Sequence, residues 1–147
     1  MLHLLWELFD QVIVTEAVYA EVTKQGRNRI GKDELGLSIK EGYIKIYAIK
    51  DELFINRFIG RLHRGELEVM VAARELNAQY LLLDDKAARV LAETMLLEPT
   101  GLIGVLRLAK LTGKIVSLKD CLDQLIQNNY RISKSLYYKV LNEVGEI

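Results

Sequence analysis

A chain of 147 residues, half of them hydrophobic and 27% charged, is long enough to bury a core and too apolar for a disordered or fibrous class. Twenty Lys and Arg balance twenty Asp and Glu, so no global charge attracts a polyanion and any nucleic-acid contact must be local.

In chain order, "HLLWELF" predicts a short helix and "QVIVT" a strand, with Thr15 as the N-cap of a helix running through Val18 and Val22. The polar, Gly-rich "QGRNRIGKDELG" predicts a loop or a broken helix. "YIKIYAI" alternates as a strand does, "ELFINRFIGRL" is helical, and Gly65 opens a helix with Val69, Ala72, Ala73 and Leu76 on one stripe. "YLLLDD" is an apolar run without alternation, the pattern of a strand buried on both faces in a parallel sheet. A helix from Lys86 to Met95, an extended piece at "LLEPT", a helix from Thr100 to Thr112 and a helical tail complete the chain. This alternation predicts an α/β fold with a mainly parallel sheet and strands near 12–14, 43–47 and 80–83. Neither a repeat nor a linker divides residues 1–147, which are therefore expected to form a single domain.

One cysteine, Cys121, excludes an internal disulfide, and two histidines, His3 and His63, are too few for the usual zinc site. No apolar run reaches the roughly 18 residues of a membrane span. The start "MLHLLWELFD" has neither a basic region nor a cleavage site, so a cytoplasmic protein with no membrane partner is expected. Local basic segments lie at Lys24 to Lys32 and in the C-terminal third, where Arg107, Lys110, Lys114, Lys119, Arg131, Lys134 and Lys139 outnumber the acids. A solvated surface is the simpler use of both.

The acids carry the chemistry. Ligands of open α/β sheets sit outside the carboxyl ends of the strands, where "LLLDD" places Asp84 and Asp85. One of these aspartates suffices to cap the helix that follows, and the other could pair with Arg89. Together they could instead hold Mg²⁺, which takes hard oxygen ligands. Glu66 and Glu68 stand in the first turn of a helix, either complementing its dipole or facing a cleft. Glu21 borders the buried face of its own helix. Acids from three elements near the core boundary are what a metal-assisted phosphodiester hydrolase requires.

The stretch "HRGELEVMVAARELNAQYLLLDDKAARVLAE", followed by "GLIGVLRLAKLTGKI" and "YRISKSLYYKVLNEVGE", resembles the PIN-domain-like proteins of prokaryotes, nucleic-acid-binding relatives of VapC toxins. The likeness runs from "LFDQVIVTEAVYAEV" onward, with Gly65-Glu66, Glu68, Leu83-Asp84-Asp85, Arg89 and Thr100-Gly101 in the family's order and spacing. The resemblance implies a three-layer α/β/α sandwich and a ribonuclease dependent on Mg²⁺ or Mn²⁺. Its acidic cluster carries over as Glu21, Glu66 and Asp84, with Asp85 and Glu68 as neighbours sharing the role and Arg89 and Thr100 at the substrate. RNA and a protein antitoxin are the implied partners. The family begins with a strand ending in an aspartate, whereas Met1 here falls in the helix that should follow it. The expected domain is therefore truncated, lacking the family's N-terminal strand and first metal-binding aspartate.

The leading expectation is a VapC-related metal-dependent endoribonuclease, impaired by the incomplete acid set. The alternatives are a non-catalytic module that binds nucleic acid or protein, and a nuclease completed by oligomerisation. A two-fold homodimer is expected, because a missing strand leaves unpaired backbone groups.

Overall fold

The computed structural model describes residues 2–24 and 29–147, with the side chains of residues 29 and 30 excepted. Much of the basic segment from Lys24 to Lys32 thus lies outside the described residues. The described chain divides into two compact units, one up to Thr100 and one from Gly101 to Ile147.

In the first unit, α1 (His3–Leu8) leads into β1 (Val12–Thr15) and α2 (Glu16–Lys24). The Thr15 hydroxyl accepts the Val18 N–H at 3.4 Å, the capping interaction that the sequence predicts. Then follow α3 (Arg29–Lys40), β2 (Ile44–Tyr47), α4 (Glu52–Phe58), α5 (Arg64–Glu75), β3 (Leu81–Leu82), α6 (Lys86–Thr94) and β4 (Pro99–Thr100). β1 pairs with β2 from Val12↔Ile44 to Thr15↔Tyr47, and β3 pairs with β4 through Leu81↔Pro99 and Leu82↔Thr100; both pairs are parallel. The α/β class and the parallel strands agree with the sequence pattern.

Two local expectations are corrected. The polar segment read as a loop or broken helix is continuous helix from Arg29 to Lys40. Leu35 and Ser38 lie buried one turn apart, and α3 packs on β2, so tertiary burial overrides the helix-weakening Gly31 and Gly36. The apolar stripe of α5 is also far wider than Val69, Ala72, Ala73 and Leu76. Leu67, Met70 and Val71 are fully buried, whereas Leu76, at the C-cap, is largely exposed. The reason is that α5 packs against α2, α4, α6, β1 and β3. Met70 and Ala73 join Leu81, Leu83, Ala88 and Ala92 in one buried cluster, while Leu67 and Val71 join Ile55 in another.

The second unit holds α7 (Leu102–Leu111), α8 (Leu118–Gln127) and α9 (Lys134–Glu143), with α8 packed on both others. Its basic residues are largely paired: Arg107 with Glu143 at 2.7 Å, Lys110 with Glu146 at 2.9 Å and Lys119 with Asp123 at 3.0 Å. Burial, with Asp120 and Glu146 nearby, pushes the Cys121 thiol up, so it is protonated at neutral pH.

Candidate functional site

The candidate acids converge on α5. Glu68, one turn into that helix, is only 3% exposed. Its Oε1 accepts the Ala17 N–H at 3.1 Å, satisfying a donor in the first turn of α2, and its Oε2 accepts from Arg64 Nε at 2.7 Å. Arg64 Nη2 extends this chain to Glu52 at 2.7 Å. Hydrogen bonding to Glu52, opposed by partial burial and aided by Glu68, raises the Arg64 pKa above its ordinary value. Glu68 thus fastens α2 to α5, and this fixes where α2 carries Glu21.

Glu21 is exposed, yet its carboxylate lies directly against Gly65: a Cβ at residue 65 would overlap Oε1 and come within 3.3 Å of Oε2. Gly65 is the second residue of α5, so the carboxylate rests at the end of the helix where the dipole favours negative charge. Glu66 stands one residue on. Its Oε2 reaches back to accept the His63 N–H at 3.2 Å, the reciprocal half of a capping box. The first turn of α5 therefore brings together Glu21 and Glu66 from different elements.

The strand end divides its two aspartates by task. Asp85 is the N-cap of α6, and its Oδ2 accepts the Ala88 N–H at 2.8 Å. Asp84 is exposed, with Oδ1 3.9 Å from Arg89 Nη2. Arg89 Nε donates to the Leu83 carbonyl at 2.6 Å, and the Leu83 N–H donates to the Thr100 carbonyl at 3.0 Å. Arg89 and Thr100, expected at the substrate, thus both fasten the strand end that carries Asp84. The guanidinium keeps about two fifths of its surface open.

Among the described residues, no three Asp, Glu, His or Cys side chains converge into a group that could hold a metal ion. The donor chemistry suits a hard divalent cation, but Glu66, Glu68 and Asp85 already accept hydrogen bonds from the protein. Sequence reasoning missed the contact between Glu21 and Gly65. The i, i+4 spacing of Arg64 and Glu68 was the visible sign of their ion pair.

A family model described as PIN domain matches residues 1–146. The chain belongs to the PIN domain family. Membership places it in a nuclease-type superfamily whose members bind nucleic acids and generally use divalent metals. The parallel strands and the helices packed on them fit the α/β/α fold of PIN domains. No curated protein and no solved structure matches. Among the described residues, no helix of this PIN domain is long and apolar enough to cross a membrane.

Proposed function

We propose that this PIN domain is a VapC-related endoribonuclease that hydrolyses RNA phosphodiester bonds, with Glu21, Glu66 and Asp84 as the acids that take up Mg²⁺ or Mn²⁺. The observation that carries the reading is the seating of the Glu21 carboxylate against Gly65, one residue before Glu66. Two elements distant in sequence thereby present acids at one helix end. When bound, the metal supplies an activated water and neutralises charge on the phosphodiester. Asp85 and Glu68 assist by holding α6 behind Asp84 and α2 behind Glu21. The open part of the Arg89 guanidinium offers a cation to the RNA backbone, with Thr100 beside it in the strand.

Because several acids are already hydrogen-bonded within the protein, the free negative charge of the site is low and a strongly hydrated cation binds weakly. Activity is accordingly slow. A protein antitoxin and a second copy in a two-fold dimer are the partners of this reading, and the cytoplasm is its place of action.

The test incubates the chain with a mixed RNA pool and Mn²⁺, the more forgiving metal. Slow cleavage that a chelator, Asp84→Asn and Glu21→Gln each abolish is expected. A folded chain that cleaves nothing under these conditions overturns the reading. A non-catalytic module is the second reading, favoured by the hydrogen bonds that already occupy Glu66, Glu68 and Asp85. It is distinguished by RNA binding that neither cleaves nor responds to Mn²⁺.

A further inference from the structure

The strands form two separate parallel pairs, although their sequence patterns suit the middle of a sheet. Val12, Ile13 and Val14 are apolar at successive positions and all half-buried; Leu81, Leu82 and Leu83 are apolar in the same way. Such runs belong to strands with neighbours on both edges. Yet β1 is bonded only to β2, β3 only to β4, and among the described residues no backbone hydrogen bond joins β1 to β3.

The free edges of β1 and β3 face one another. Helix α5 packs on both β1 and β3, the inner strand of each pair. The ring of Phe9, just before β1, meets that of Tyr80, just before β3, with centroids 5.5 Å apart. The two strands therefore start side by side and run the same way, giving the spatial order β2, β1, opening, β3, β4. Paired strands lie about 4.8 Å apart, so an opening one strand wide separates its rims by roughly 10 Å, a span that two facing aromatic side chains bridge. Tyr80 and Leu82 remain 45% and 43% exposed beside it.

We infer that the opening between β1 and β3 accepts one extended apolar segment of a partner polypeptide, running parallel to both strands and joining the two pairs into one sheet. The backbone selects this occupant: each rim offers N–H and C=O groups, which a strand satisfies on both of its edges at once. The apolar rims select its side chains. A second copy of this domain does not fit, because its own strands carry α5 and their paired neighbours with them, and an opening one strand wide admits a bare strand. This inference is independent of the nuclease reading.

The probe is a synthetic eight-residue peptide of Val and Ile with a lysine at each end, compared with the same peptide carrying a central proline, which removes a donor and breaks pairing. Backbone amide exchange is followed on the full chain by mass spectrometry. The expected result is one peptide bound per chain, with exchange slowed about tenfold in both 12–15 and 81–83 and unaffected by the proline peptide. Absence of binding, or slowing in only one of the two strands, overturns the inference. So does protection of both strands without peptide that rises with protein concentration, since a second copy would then fill the opening.

Discussion

The carboxylate of Glu21 and the Cα of Gly65 are in direct contact, and that contact exists only because residue 65 has no side chain. The atoms that a Cβ would strike are the tip of an exposed, flexible glutamate rather than backbone. Gly65→Ala should therefore alter stability by no more than about 1 kcal/mol, with the better helix propensity of alanine offsetting part of the strain. The displaced Glu21 should leave RNA cleavage well below the parent level. Urea unfolding beside a cleavage assay checks this, and a stability loss of about 3 kcal/mol would mean that Glu21 cannot swing away.

Glu68 is a structural carboxylate. Glu68→Ala would leave the Ala17 N–H without its acceptor and Arg64 without its buried partner, at a cost of roughly 2 to 4 kcal/mol. Glu68→Gln keeps an acceptor for Ala17 and should cost about half as much. Denaturant midpoints of the two variants should fall in that order, and equal midpoints would contradict it.

The neighbouring aspartates should separate cleanly. Asp85→Ala removes the cap bond to Ala88 and should cost about 1 kcal/mol. Asp84 is 57% exposed at its side chain and 3.9 Å from Arg89, so Asp84→Asn should change stability by under about 0.5 kcal/mol while abolishing metal-dependent cleavage. Thermal melts and cleavage rates measured on both variants decide the matter.

The unit from Gly101 to Ile147 carries an acid-sensitive clasp. Glu146 accepts the Leu118 and Lys119 N–H groups, each at 2.7 Å, and pairs with Lys110. Partial burial pushes its carboxyl up, but these bonds outweigh burial and hold it down at about 2. A lowered carboxylate pKa contributes stability that is complete above the ordinary value of 4.5 and is lost as pH falls toward 2. At most roughly 3 kcal/mol is involved. Amide exchange at the start of α8 should quicken across that pH window, and in Glu146→Gln this pH dependence should flatten.

The sequence by itself determined the elements whose signals are local. Thr15 announced the start of α2, the pair Asp84-Asp85 the start of α6, and the unbroken apolar runs at 12–14 and 81–83 the parallel strands. The motif residues from Gly65 to Gly101 were enough to point to the family. Tertiary structure alone decided what each acid does. Glu66, Glu68 and Asp85 are chemically equivalent in the sequence, and only packing shows that they accept from His63, from Ala17 and Arg64, and from Ala88. The helical state of 29–40 and the burial of nearly all sides of α5 likewise arise from neighbours distant in the chain, whose apolar surface outweighs local propensity. The same holds for the contact of Glu21 with Gly65: they are far apart in sequence, and a missing side chain becomes a space only when another element is placed against it.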